Sequence, residues 1–165
     1  MKNAPVIHIG TVVANPGEII SLPVWVSEDC EFNAMSLCMP FLPAKCTFLR
    51  IEKTDALPGE VYWFLRPTPG NIWKHSLMVA WNQPESDLQV AGGTILFNIV
   101  CQYTGTVATG GNGNTAFKFR HTPGNDQDNC EWASGIPSTV LNDMPYDEFY
   151  YPGWISEKNP TNSGW

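Results

Sequence analysis

Ile19-Ile20-Ser21-Leu22-Pro23-Val24-Trp25-Val26-Ser27 alternates residue by residue. Ile20, Leu22, Val24 and Val26 share one face; Ile19, Ser21, Pro23 and Trp25 share the other. A period of two is the signature of a half-buried β-strand. The stretch follows Asn15-Pro16-Gly17, a turn signal. Pro23 has no amide to give to a ladder, which predicts an edge or a bulge there.

The same punctuation continues in both directions. Fourteen glycines and fourteen prolines are spread over 165 residues. A proline inside a helix costs roughly 3 kcal/mol, so long helices have little room. The gaps hold β-branched and aromatic runs of strand length at residues 6–13, 32–41, 46–53, 61–66, 76–82, 94–103 and 115–121. Residues 83–91 read as a polar connection, and one helical turn is predicted near 137–141. Eight or nine short strands separated by turns predict an all-β, two-sheet sandwich. The outer parity of four strands is weakly polar: Ala34 and Cys38, Tyr62 and Phe64, Met78 and Ala80, Leu96 and Val100. If these strands share a sheet, they present one flat, mildly apolar face, and such a face marks an interaction site. Trp63 and Trp81 fall on the inner parity.

Composition narrows the function. Hydrophobic residues make up 43% and charged residues only 15%, a balance suited to an extracellular β protein. Nine basic against sixteen acidic residues leave a net charge of −7, which disfavours nucleic acid. No apolar run reaches the roughly 20 residues needed to cross a bilayer. The N-terminus lacks an apolar signal segment, and residues 159–164 resemble the start of a Pro/Thr/Ser linker. The chain therefore reads as a sandwich over residues 1–155 with a linker at 156–165, one domain of a longer secreted or surface-attached protein.

Chemical constellations are sparse. Glu60, Glu85, Asp87, Glu131 and Asp147 supply carboxylates, but nothing singles out a glycosidase pair. His8, His75 and His121 are isolated. Residues 125–131 could offer alternating oxygen ligands to calcium, yet lack the central Gly and final Glu of an EF-hand loop. No catalytic and no metal residue is expected. Of five cysteines, Cys30 and Cys130 sit in polar stretches and are the pair to test for a bridge. Seven tryptophans keep a carbohydrate-binding module as the alternative, with Trp25, Trp73, Trp132 and Trp154 as exposed candidates.

The order of features resembles the cohesin domain, the receptor module of cellulosome scaffoldins. The resemblance rests on Gly10-Thr11-Val12-Val13-Ala14-Asn15-Pro16-Gly17-Glu18 leading into the alternating strand, on residues 34–48, on Val79-Ala80-Trp81 and on Gly93-Thr94-Ile95-Leu96-Phe97. It spans residues 6–121 and is closer to the divergent cohesins of ruminal bacteria. It implies a nine-stranded jelly-roll sandwich that is non-catalytic, carries no cofactor and is a monomer on its own. It also implies a flat sheet of the third, fifth, sixth and eighth strands that docks a dockerin, a small helical module with its own calcium loops. Carried over by position, the contact face is Ala34, Ser36 and Cys38, Met78, Ala80 and Asn82, with Leu96 and Asn98 nearby; parity adds Tyr62, Phe64 and Arg66. Leu42 stands where the family usually has Asp. Ala34 and Ser36 replace the family's frequent Asn and Asp, which implies a more apolar interface and a different class of dockerin.

Overall fold

The computed structural model describes residues 2–43, 45–67, 75–105, 117–120 and 130–157. The first strands, β1 (Ile7–Ile9) and β2 (Val12–Ala14), split the predicted run 6–13 at Gly10 and join different sheets. β3 (Ile19–Val26) keeps the expected alternation, with Ile20, Leu22, Val24 and Val26 buried. β4 (Cys30–Phe32) and β5 (Ala34–Phe41) divide the next run, and β6 (Cys46–Lys53), β7 (Tyr62–Pro67) and β8 (His75–Asn82) follow. The presumed polar connection contains β9 (Leu88–Val90), which pairs with β4. β10 (Ile95–Tyr103) precedes the tail strands β11 (Glu131–Ser134), β12 (Thr139–Val140), β13 (Tyr150–Tyr151) and β14 (Ile155–Glu157).

Two five-stranded sheets form the sandwich, in the orders β13-β1-β3-β10-β6 and β12-β11-β5-β8-β7. Two further two-stranded ribbons pair β14 with β2 and β4 with β9. This is more elaborate than the expected nine strands. The chain changes sheet repeatedly: β3 to β5, β5 to β6, β6 to β7, β8 to β10 and β10 to β11. Ile7, Leu22, Phe97 and Ile99 from one sheet bury against Leu37, Met39, Leu77 and Trp132 from the other. Each such side chain contributes roughly 1.5–3 kcal/mol on full burial. Phe32 meets Trp81 and Trp132 edge-on, with centroids 5.6 and 4.8 Å away. Trp81 Nε1–H donates to the Pro58 carbonyl at 2.8 Å, so the indole is buried without losing its hydrogen bond.

Several sequence expectations change. The 137–141 stretch is a turn leading into β12, and the 3-10 turn lies at Tyr146–Glu148. β3 runs between β1 and β10, but β1 pairs only with Val24–Val26, so Pro23 sits where that ladder ends, its carbonyl accepting from the Gly10 amide; a register irregularity also falls in β10, between Ile95 and Phe97. That shift also turns Ile95 outward and Leu96 inward, the reverse of strict alternation. Trp63 is exposed, because β7 is an edge strand, and its ring meets Phe48 edge-on. β14 pairs in parallel with β2, from Ile155 opposite Val12 to Glu157 opposite Ala14. Of the expected strand at 115–121, residues 117–120 are described. They run beside β5, through a Phe117–Phe41 bridge and amide bonds from Lys118 to the Pro40 carbonyl and from Arg120 to the Cys38 carbonyl.

Candidate functional site

The outer face of the β12-β11-β5-β8-β7 sheet is set by register. Directly opposed residues on paired strands project to the same face. Ser36 lies opposite Ala80, and Ala80 opposite Tyr62. Ala34 lies opposite Asn82, and Cys38 opposite Met78, which faces Phe64. Ser76 faces Arg66. Nine of the eleven sequence-assigned residues therefore stand on one surface: Ala34, Ser36, Cys38, Tyr62, Phe64, Arg66, Met78, Ala80 and Asn82.

Leu96 and Asn98 do not. Their strand, β10, pairs with β3 and β6 in the opposite sheet. Parity tells which way a side chain points but not which sheet its strand joins, and the two apolar faces of β10 hid that choice. The fourth structural neighbour is instead the tail. β11 pairs with β5, placing Glu131 beside Ser36 and Ala133 beside Ala34. Sequence reading missed this strand. Its one signal was the alternation Glu131-Trp132-Ala133-Ser134, in which Trp132 and Ser134 are buried.

The face has two unlike halves. Around Ala34, Ser36, Ala80 and Asn82 it is open, and a shallow depression of about 170 Å³ is floored by short side chains and flanked by Tyr62, Glu131 and Ala133. Tyr62 and Phe64 are 68% and 58% exposed. Toward Pro40 and Ser76 the surface closes. Cys38 and Met78 are only 2% and 9% exposed, between Phe64 on one flank and residues 117–120 on the other. They support the face rather than present themselves on it. This closed end is basic, with Arg66 on one side and Lys118 and Arg120 on the other. Burial, and then the Arg120 charge, holds the Lys118 ammonium below its ordinary value. The open end carries the Glu131 carboxylate.

Other candidates disperse. Cys130 is buried against the Cys38 backbone, whereas Cys30 sits half-buried in β4 opposite Val90; both thiols are free. Burial, with Asp29 nearby, pushes the Cys30 thiol up to about 11. Among the described residues no group of three or more His, Cys, Asp or Glu side chains could hold a metal ion. His121 and residues 125–129 of the calcium expectation lie outside the described residues, as does Trp73. Trp132 is buried in the core instead of exposed. Trp25 stacks on His8, and His8 on Tyr151, with centroids 4.4 and 4.6 Å apart and planes within 16° and 10°. These rings spend their faces on each other rather than forming a coplanar platform, whereas Trp154 is exposed as expected.

No family model matches the sequence, and no curated protein does. Solved structures do match in fold. A type I cohesin–dockerin complex from Clostridium thermocellum, containing the OlpA cohesin, superposes with a TM-score of 0.64 at 15% identity, over 94% of this chain and 99% of that one. The sixth cohesin of scaffoldin B from Acetivibrio cellulolyticus, in complex with a Cel5 dockerin, gives 0.62 at 12% identity over 94% and 100%. A non-cellulosomal cohesin from the archaeon Archaeoglobus fulgidus gives 0.59 at 13% identity over 95% and 91%.

Proposed function

We propose that this chain, which has the cohesin fold, is a non-catalytic receptor module that docks a dockerin-bearing enzyme or scaffoldin outside the cell. The observation that carries the reading is the open half of the β12-β11-β5-β8-β7 sheet. Short side chains at Ala34, Ser36 and Ala80 leave a depression, Asn82 supplies an amide, and Tyr62 and Phe64 stand exposed beside it. Such a surface suits a partner helix laid across a rigid sheet, with apolar anchors at the centre and polar groups at the rim. Arg66 belongs to that rim. Docking of this kind buries roughly 1,200–2,000 Å² in total. Two of the structural neighbours described above are cohesins in complex with dockerins.

Calcium belongs to the dockerin in this reading and gives its loops their shape; this chain contributes only its face. The test is titration of the domain against a panel of calcium-loaded dockerins. At least one should bind, and a chelator should abolish binding while leaving the melting temperature of this domain unchanged. Failure of the whole panel, with retention on cellulose or soluble glucans, would overturn the proposal in favour of sugar binding.

A further inference from the structure

The hairpin of β11 and β12 is pinned from several directions. Asn33 is fully buried; its Nδ2 donates to the Gly135 carbonyl at 2.7 Å, and its Oδ1 accepts the Ser138 hydroxyl at 3.0 Å. The Gly135 amide donates to Asp87 Oδ1 at 2.8 Å. The Thr139 hydroxyl donates to the Ser134 carbonyl at 3.3 Å. Gly135 itself holds a φ of 88°, a conformation that favours glycine. These bonds fix the turn whatever side chains stand at positions 136 and 140. Yet those positions hold Ile136 and Val140, 71% and 54% exposed.

Register connects the hairpin to the docking face. Val140 lies opposite Ala133, Ala133 opposite Ala34, and Ala34 opposite Asn82. One row thus crosses four strands, from Val140 to Asn82, with no charged side chain in it. We infer that the hairpin is a second, preorganised contact element of the docking face, and that it selects partners whose helix places an apolar side chain against Val140. This rests on the docking proposal above. A charged or amide group of the partner would lose its water over Val140 and Ala133 without gaining a hydrogen bond, so the row discriminates by exclusion as much as by attraction. Because the turn is already ordered, little conformational entropy is lost on contact.

The experiment compares Val140→Asp and Ile136→Ser with Ala80→Arg, by calorimetric titration against the calcium-loaded dockerin that binds most tightly in the panel, and against the rest of it. Both hairpin side chains are exposed, so the melting temperatures should stay close to that of the parent. Val140→Asp is expected to weaken the tightest dockerin about tenfold or more and to reorder the panel. If both hairpin variants bind every dockerin within about twofold of the parent while Ala80→Arg abolishes binding, the hairpin inference is wrong and the docking face stands. If Ala80→Arg binds normally, the docking face is wrong and the hairpin inference falls with it.

Discussion

The backbone amide of Cys38 donates to the sulfur of Cys130, 3.3 Å away. Arg120 donates its amide to the Cys38 carbonyl, and the Arg120 carbonyl accepts from the Cys130 amide. The thiol also donates to the Cys38 carbonyl at 3.5 Å, so the Cys130 side chain bonds both polar groups of the Cys38 backbone. Burial raises its pKa, keeping it a neutral thiol.

Cys130→Ala therefore removes the sulfur that the buried Cys38 amide donates to and opens a small cavity, at a cost of about 2–3 kcal/mol. Cys130→Ser retains an acceptor and should lose less. Urea denaturation of the three proteins checks the order. An alanine variant as stable as the parent would show that the sulfur contributes nothing to stability.

Ala80 and Met78 are two residues apart on the same face of β8 but should respond differently. Ala80 is exposed in the open half, so Ala80→Arg should keep the fold and lower dockerin affinity about 100-fold. Met78 is nearly covered, so Met78→Asp buries a carboxylate and should cost about 3 kcal/mol of stability. Thermal melts alongside binding titrations separate the two. Comparable melting temperatures for both variants would contradict the division of the face.

That division shows what the sequence could and could not disclose. The alternation of residues 19–26 was legible because one face of β3 is buried and the period of two survives burial. The Ala34, Ser36, Ala80 and Asn82 parity was legible for the same reason. Sheet membership was not. β10 is apolar on both faces, and Val100 is buried on the outer one, so its pattern fits either sheet. The tail strands were hidden by brevity. β12 and β13 are two residues each, too short to show a period; β12 is the short return of a hairpin from β11, and β13 owes its place to β1, over a hundred residues earlier. The hairpin's pins are likewise distant, at Asn33 and Asp87.

Gly153 makes one of these long-range closures testable. A Cβ there would collide with the backbone carbonyls of Ile9 and Gly10, where the chain between β13 and β14 crosses the first two strands. Backbone cannot rotate aside as a flexible side chain can. Gly153→Ala should therefore cost about 2–3 kcal/mol, which for a domain of this size is a fall of about 5–10 °C in melting temperature. An unchanged melting temperature would mean that the tail is not seated on β1 and β2.

His8 should give stability a pH dependence. Its ring lies between those of Trp25 and Tyr151, and its buried Nε2 has no hydrogen-bond partner among the described residues. Burial lowers its pKa from the ordinary 6.5. The attraction of an imidazolium for aromatic faces acts the other way, so desolvation outweighs it. Above about pH 6.5 the ring is neutral in both folded and unfolded chains and contributes no slope. Below that value the unfolded chain takes up a proton that the folded chain resists, so stability falls as the pH drops toward the lowered folded value. His8→Phe keeps a flat ring in the stack and removes the proton site. Urea midpoints at pH 7.5 and 5.5 should differ more for the parent than for the variant, with His75 and His121 common to both. Equal differences would show that the stacked imidazole titrates no differently folded than unfolded.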